Sequence, residues 1–236
     1  MRPDLTEMGN GAKSQVRLSL AERAYQTLKD AIITGTLRPG ELIVERELAH
    51  RYQMGKTPIR EGLHALQQEG LVEAIPRAGY MVSAITTRDV QELFEVRSIL
   101  ETAAAGLAAT SASEEELQRL QESADFKYTH GDWTSYKAFL NANTEFHFKV
   151  AQASGNERLA QIVLRLMENL ERLFHLELDL RDSAEEMVAE HKALVAALIK
   201  RDPQKARQVM ADQIRASRDR VLEAIVSQGA GPVVEI

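Results

Sequence analysis

Residues 37–83 read LRPGELIVERELAHRYQMGKTPIREGLHALQQEGLVEAIPRAGYMVS, and the turn and helix signals in this stretch decide the fold. Residues 44–53 suit a short helix, which Gly55 breaks. A second helix is expected over residues 57–69 with Thr57 as its N-terminal cap, because a threonine ahead of helically spaced apolar residues is a start signal. Two helices joined by so tight a turn are typical of a helix-turn-helix.

The flanks of this stretch complete the motif. Residues 19–35 predict a preceding helix, which begins with Ser19 and has Glu22 three positions later, the spacing of a capping box. Beyond the second helix, two short β-prone runs flank Pro76-Arg77-Ala78-Gly79 and predict a hairpin. The order helix, helix, tight turn, helix and hairpin predicts a winged helix-turn-helix domain over residues 19–85.

The rest of the chain predicts helices only, and the expected fold class is therefore mainly α. A helical domain is expected over residues 86–228. Residues 1–18 are expected to be a disordered arm, and residues 229–236 a frayed tail. The helices of this domain are expected at 87–109, 113–129, 132–154, 156–180, 183–200 and 202–227.

Charge is divided unevenly between these two parts. The chain of 236 residues has a formal net charge of −6, yet residues 1–85 hold 11 Lys and Arg against 10 Asp and Glu. Residues 86–236 hold 18 Lys and Arg against 25 Asp and Glu. A nearly neutral first part can still carry a local basic face, and it is the local field that meets phosphate.

Composition excludes several kinds of chemistry. The chain has no cysteine, so it has no disulfide, thiolate nucleophile or Cys-ligated zinc, and it suits a reducing cytoplasm. No run of eighteen apolar residues is present, so no membrane span is expected. Phosphate-binding loops, Gly-x-Ser-x-Gly and recognisable catalytic triads are also absent from the sequence.

Cationic and hydroxyl side chains gather on the predicted reading element. The N-terminal end of the second helix of a helix-turn-helix lies nearest the base edges, and here it carries Lys56, Thr57 and Arg60. Arg60 is expected to donate two hydrogen bonds to a guanine, Arg46 to reach the DNA backbone, and Arg77 to lie along the minor groove. A solvated charged surface explains any one of these residues equally well, and the set as a whole favours DNA.

The stretch also resembles the DNA-binding domain of the GntR family. In that family the residues equivalent to Arg46, Lys56, Thr57, Arg60 and Gly79 contact operator DNA. The usual Ser-Arg is replaced here by Gly55-Lys56, which keeps the positive charge but loses the fork geometry of arginine. The pieces that carry the resemblance are Leu37-x-Pro39-Gly40, Glu45-Arg46-Glu47-Leu48-Ala49, Thr57-Pro58-Ile59-Arg60-Glu61, Leu66, Glu69-Gly70-Leu71 and Gly79.

Polar residues interrupt the apolar stripes of four of the later helices. These residues are Arg97, Asn143 with His147, His191 and Gln213. Burying such groups without partners costs a few kcal/mol each, so they must satisfy one another or line a pocket. A satisfied core group is the better explanation for any one of them, and their recurrence on four helices favours a pocket. Leu93, Leu100, Ala104 and Leu107 are expected to face inward beside Arg97.

Three stretches of the second part resemble the FCD ligand-binding domain of the FadR-like subfamily: FEVRSILETAAAGLAA, NTEFHFKVAQASGNERL and EHKALVAALIKRDPQKARQVMADQIRAS. The resemblance implies an all-helical bundle, in which many members hold a divalent metal through one Asp and three His, and through it a small carboxylate. The matching positions are Asn143, His147, His191 and Gln213. Amides are weak ligands for zinc or nickel, so no tightly held metal is expected, although these four residues, with His175 as a stray ligand, leave weak binding of Zn or Ni open.

The function implied is a bacterial regulator of transcription, not an enzyme. Without a metal, Arg97 is expected to bind a small organic acid together with the four polar residues. The expected protein is a homodimer in the cytoplasm that binds double-stranded operator DNA in the nucleoid and binds no membrane. Repression is the commoner mode of regulation in this family, so a repressor is expected. Two alternatives remain at this point: a helical enzyme that uses His147 and His191, and a winged-helix adaptor that binds protein.

Overall fold

The computed structural model describes residues 18–126, 133–180 and 183–227. The expected N-terminal arm, apart from Leu18, and the expected C-terminal tail lie outside these residues. No helix in the three described ranges is long and apolar enough to span a bilayer.

The N-terminal head is a winged helix-turn-helix, as predicted. Its strands form one antiparallel sheet in the order β1-β3-β2, with Met81 opposite both Leu42 and Glu73. The two-residue β1 is not predicted from the sequence; it forms because Gly40 donates a hydrogen bond to the carbonyl of Val82 at 2.8 Å. The elements are α1 (Leu20–Ile33), β1 (Leu42–Ile43), α2 (Glu45–Arg51), α3 (Lys56–Gln68), β2 (Val72–Ile75) and β3 (Gly79–Val82).

Helix α1 supports the reading helix α3 from behind. The predicted capping box is confirmed: the Ser19 hydroxyl accepts from the Glu22 amide at 3.1 Å, and the Glu22 carboxylate accepts from the Ser19 amide at 2.7 Å. The two helices approach closely at Gly62, where an added Cβ would lie 2.9 Å from the amide nitrogen of Tyr25. The core between them consists of buried residues of both helices: Ala24, Leu28, Ile32, Ile59, Leu63 and Leu66.

The predicted cap of α3 is wrong. The helix begins at Lys56, its N-cap is Gly55, and no side chain caps it. Thr57 is therefore the second residue of the helix, and Pro58 fits the third position because a first-turn residue has no intrahelical use for an amide hydrogen. Because Thr57 lies inside the helix, its side chain is exposed and does not cap the helix.

The C-terminal part is the predicted all-helical bundle. Helix α4 makes its most extensive contact with α9, and α6 with α7. Close approach of α4 is possible because its inner face carries small side chains such as Ala105 and Ala108, both fully buried. The helices are α4 (Thr87–Ser111), α5 (Glu114–Ser123), α6 (Trp133–Gln152), α7 (Glu157–Leu180), α8 (Ala184–Ile199) and α9 (Pro203–Ser227).

Two details of the bundle differ from the prediction. Helix α5 ends at Ser123 rather than near residue 129, because Phe126 turns inward and its ring packs against Phe139 at a centroid distance of 4.8 Å. Leu107 does not face inward but is 39% exposed. The inner face of α4 at this height is occupied by alanines, and Leu107 lies on the opposite side of the helix.

Polar contacts from α6 and α7 join head and bundle among the described residues. Arg172 of α7 donates from Nη2 to the backbone carbonyl of Ser83 at 2.6 Å, just after β3 ends. Lys137 of α6 pairs with Asp30 of α1 at 3.0 Å. Burial lowers the pKa of Arg172 to about 10. The segment that links the wing to α4 is thus held by a buried arginine of the bundle.

Candidate functional site

The N-terminal end of α3 presents an open, cationic surface. Lys56, Thr57 and Arg60 are all exposed there. The first amides of a helix lack intrahelical acceptors, and this helix has no side-chain cap to bind them. Such an end carries partial positive charge and favours a phosphate. The structure therefore supplies hydroxyl, ammonium, guanidinium and backbone donors within one and a half turns of helix.

Arg60 is engaged by a residue that the sequence did not single out. Its Nε donates to Glu45 Oε1 at 2.9 Å and its Nη2 to Glu45 Oε2 at 2.8 Å. The hydrogen bond from Arg60 holds the pKa of Glu45 below its ordinary value. Glu45 uses only Nε and one N–H of Nη2, so Nη1 and the second N–H of Nη2 remain for a guanine while the carboxylate holds the guanidinium in place.

In the wing, the predicted DNA-contacting residues Arg77 and Gly79 have different surroundings. Arg77 is exposed at the tip of the hairpin and has a φ of +66°. Gly79 has a φ of +126°, and a Cβ there would lie 2.5 Å from the carbonyl oxygen of Ile43. Gly79 thus has a structural reason to be glycine, because it lets β3 lie against β1. Arg46, on α2, is exposed.

A buried ion pair and an imidazole form the polar centre of the bundle. Arg97 Nε donates to Glu101 Oε1 at 2.6 Å, and Arg97 Nη2 lies 3.2 Å from His147 Nε2. The other oxygen of Glu101 contacts His147 Nδ1. All three residues are at least 98% buried, with exposed fractions of 2%, 1% and 1% in that order.

The contacts assign the protonation pattern of this centre. Guanidinium nitrogens only donate, so His147 Nε2 accepts from Arg97 and Nδ1 carries the proton that Glu101 accepts. Burial alone would raise the pKa of Glu101, but the charge of Arg97 and the hydrogen bonds from His147 and Arg97 outweigh burial and hold the pKa below its ordinary value. The carboxylate is therefore ionised and neutralises Arg97.

More donors converge on His147 than its ring can accept. His191 Nε2 lies 3.3 Å and Gln213 Nε2 lies 3.4 Å from the same Nε2 that faces Arg97. An imidazole nitrogen has one lone pair, so it can fully satisfy only one donor. Burial, reinforced by His147 and Arg97, lowers the pKa of His191 well below its ordinary value. More nitrogen donors thus face His147 Nε2 than its lone pair can satisfy.

Three buried polar atoms near this centre have no hydrogen-bond partner among the described residues. They are Asn143 Nδ2, His191 Nδ1 and Gln213 Oε1. Asn143 lies one turn before His147 on α6, and its side chain is on the same face. Buried polar atoms left unsatisfied cost free energy, so these atoms mark a place where a water or ligand atom would be stabilised.

Aromatic rings enclose the polar groups. The Arg97 guanidinium lies between Phe94 at 5.5 Å and Phe174 at 5.4 Å from the ring centroids. The His191 ring stacks on Phe146 at 4.1 Å. These contacts hold the guanidinium and the imidazole in fixed positions by packing on their faces, which leaves their edges for hydrogen bonds.

The four positions that the FCD resemblance relates to a metal do not fit a tightly held divalent ion. Two of the four side chains are amides, and the Arg97 guanidinium lies 3.2 Å from His147 Nε2, the atom that a metal would need. Over the described ranges, no group of three or more His, Asp or Glu is arranged to hold a metal ion. His175 is buried beside Glu171 at 3.9 Å, and burial, together with the nearby charge of Lys137, lowers its pKa.

Two groups of buried residues were missed from the sequence. Glu101 supplies the carboxylate of the centre, and the signal was its position four residues after Arg97 on an otherwise small and apolar helix face. Arg220 of α9 pairs with Glu177 at 2.9 Å and with Glu190 at 2.8 Å. Burial raises the pKa of Glu177. This second network joins α7, α8 and α9 next to His191.

The chain is similar to known proteins over most of its length. Residues 20–82 match the family described as bacterial regulatory proteins, gntR family, and residues 92–216 match the FCD domain. An HTH-type transcriptional regulator of Bacillus subtilis, YdhC, is 31% identical over 190 residues, which cover 78% of this chain and 83% of that protein. The Uxu operon transcriptional regulator of Escherichia coli is 29% identical over 227 residues, covering 86% and 88%.

A solved structure confirms the fold. The structure of E. coli McbR/YncC superposes with a TM-score of 0.65 at 22% identity, covering 88% of this chain and 99% of that chain. At this identity the likeness concerns the fold, and it extends across head and bundle together.

Proposed function

Because the chain belongs to the GntR family of bacterial regulatory proteins and carries an FCD domain, we propose that it is a metabolite-responsive repressor that binds its operator as a homodimer. It is a DNA-binding transcriptional regulator with a C-terminal effector-binding domain. The proposal adds the sign of regulation, the class of effector, the oligomeric state, and action at the nucleoid in the cytoplasm. The family's members regulate transcription, and we propose that this chain likewise catalyses no reaction.

DNA recognition by α3 is supported by its uncapped N-terminal end, which exposes Lys56, Thr57 and Arg60. A dimer with two such helices fits an operator of two-fold symmetry. Arg46 and Arg77 are proposed to contact the backbone and the minor groove. Gly79 is proposed to let the wing backbone approach DNA, in addition to its place against β1.

Replacing the Arg60 side chain tests the assignment of α3 as the helix that contacts the bases. An operator selected from random DNA is bound by the wild type and by Arg60→Ala, and affinity is measured by fluorescence anisotropy. We expect Arg60→Ala to lose roughly 10- to 100-fold in specific affinity, the value of a good bidentate base contact, with an unchanged melting temperature. Arg119→Ala, on the exposed surface of α5, is the control. Equal affinity of the two variants would contradict the reading-helix assignment.

The excess of donors at the single lone pair of His147 Nε2 favours an effector that offers oxygen acceptors. A small carboxylate placed among these side chains would give oxygen acceptors to Arg97, Asn143 Nδ2 and Gln213 Nε2, while Glu101 keeps Arg97 in position. Since the donor set does not fit a divalent ion, we propose that the effector binds directly to these side chains. It must bind one arrangement of the heads more tightly than the other in order to change operator affinity.

A thermal-shift screen tests the effector proposal. Mono-, di- and hydroxycarboxylates are compared with the matching alcohols on protein purified without chelator, and metal is counted by plasma mass spectrometry. We expect carboxylates to raise the melting temperature with far less than one metal ion per chain. Gln213→Leu should abolish the shift, and Gln208→Leu, exposed on the same helix, should retain it. One transition metal per chain would overturn direct binding.

A further inference from the structure

The outer face of α4 carries a continuous apolar stripe. Val96, Ile99 and Leu107 are 46%, 63% and 39% exposed, and the half-buried Ala103 lies between them. Positions 96, 99, 103 and 107 follow helical spacing, so they line one face. Other exposed large apolar side chains of the bundle, such as Ile162 and Ile199, lie singly on other helices. A contiguous apolar strip on a charged surface is typical of an interaction site.

The two ends of this stripe differ in charge. Glu95 is exposed at the N-terminal end. At the other end the exposed Arg207 of α9 lies across α4 at Gly106, where any Cβ would overlap its guanidinium. Residues 95 and 106 are eleven positions apart, about three helical turns, so the carboxylate and the guanidinium flank the stripe on the same side.

We propose that this face of α4 is the interface between two copies of the chain, with the two α4 helices antiparallel about a two-fold axis. The inference rests on the proposed homodimer and assigns its surface. An antiparallel arrangement centred on the stripe places Ile99 against Ala103 of the second copy. It also brings Glu95 next to Arg207 of the second copy, and the reverse pair follows by symmetry. The charges at the two ends of one helix thus complement each other only when the second helix runs the opposite way.

The length of α4 agrees with a second copy as the occupant. The stripe centre lies about 14.5 residues after Thr87, so at a rise of roughly 1.5 Å per residue the two N-terminal ends of α4 are about 44 Å apart. A crossing angle of about 50° shortens this separation to about 40 Å. The heads follow directly at these ends, and two half-sites of a helix-turn-helix operator are about 34–36 Å apart. The interface therefore places the starts of the two α4 helices, where the heads are attached, at nearly the separation of one turn of DNA.

The absence of cysteine allows a specific crosslinking test. Ala103→Cys lies next to the proposed axis, and Ile162→Cys is an exposed control on α7. Each full-length variant is treated with a short bis-maleimide at micromolar concentration and analysed on a denaturing gel. We expect most of Ala103→Cys, and almost none of Ile162→Cys, to become a covalent dimer. The opposite pattern would overturn the assignment of this face.

Molecular mass from light scattering tests the α4 interface and the proposed homodimer separately. We expect Ile99→Glu to convert the dimer to a monomer, with Ile162→Glu still dimeric. Arg207→Glu should weaken the dimer at least tenfold, and the double variant Glu95→Arg/Arg207→Glu should restore it, which a purely structural role of either residue would not produce. A dimer that survives Ile99→Glu overturns this face alone, whereas a monomeric wild type overturns the proposed homodimer.

Discussion

Arg97 and Glu101 form an ion pair whose surroundings decide its effect on stability. The same helix carries a second pair of the same type and spacing, Arg88 with Glu92, which is exposed to solvent. The Arg97 and Glu101 side chains are 2% and 1% exposed, against 81% and 62% for Arg88 and Glu92. Breaking a buried pair leaves an uncompensated charge, whereas water screens an exposed one.

Glu101→Gln should therefore destabilise the protein by about 3–5 kcal/mol, because it leaves the buried Arg97 unpaired. Glu92→Gln, the matched control, should cost less than about 1 kcal/mol. The free energy of unfolding in urea measures both changes. Similar losses in the two variants would mean that the polar centre is hydrated rather than buried.

His175 predicts a dependence of stability on pH. Burial lowers its pKa from 6.5 to about 4, so the unfolded chain takes up the proton first as the pH falls. The stability contributed by the neutral ring is complete above pH 6.5 and is lost between pH 6.5 and about 4, at about 1.4 kcal/mol per pH unit. His175→Gln should remove this part of the slope. Urea denaturation between pH 4 and 8 measures it, and parallel curves for both proteins would contradict the shift.

The wing shows, at the scale of elements, how one backbone position fixes a strand pairing. Gly79 and Gly70 both have a positive φ, of +126° and +74°. Only Gly79 has a close neighbour, the carbonyl of Ile43, while nothing lies within 4 Å of a Cβ at Gly70. Gly70→Ala should cost about 1–2 kcal/mol for backbone strain, and Gly79→Ala more, because β1 must also move away from β3. Thermal unfolding measures which of the two variants loses more stability, and equal losses would contradict this packing.

Sequence periodicity predicted the elements well where one face of a helix was distinct. The helices of the head and bundle, the hairpin and the capping box of α1 are confirmed because their signals are local. The exposed Leu107, the early end of α5 and strand β1 were missed because each depends on a distant neighbour. For Leu107 the neighbour is the tight packing of α4 on α9, for α5 it is Phe139, and for β1 it is β3.

The polar centre was predicted only in part for the same reason. Arg97, His147, His191 and Gln213 interrupt apolar stripes, and the structure brings these four together. Their arrangement around one lone pair depends on how α4, α6, α8 and α9 pack, which periodicity does not specify. Glu101 escaped notice because a carboxylate on a helix is usually solvated, and only the three-dimensional neighbours show that it is not.

At the scale of the whole molecule, Arg172 joins the sensing bundle to the reading head. Arg172→Met should release the carbonyl of Ser83 and raise deuterium uptake of residues 83–86 at least severalfold. Operator affinity should then no longer respond to an effector that still binds. Arg165→Met, exposed on the same helix, is the control and should leave both properties unchanged. Unaltered uptake in Arg172→Met would exclude the clamp as the connection.

The pairing of Arg60 with Glu45 has a consequence for how the protein searches a genome. On arbitrary DNA we expect Glu45 to keep its two hydrogen bonds to Arg60 and to offset part of the attraction of Arg60 for phosphate. A guanine edge offers two acceptors to the N–H groups of Arg60 that Glu45 does not use, so we expect recognition to add a contact to a guanidinium that is already held in position. We therefore expect fast sliding on arbitrary DNA and long residence only at matched sites. Glu45→Gln should lengthen the dwell time on random sequence and narrow the ratio between specific and non-specific binding.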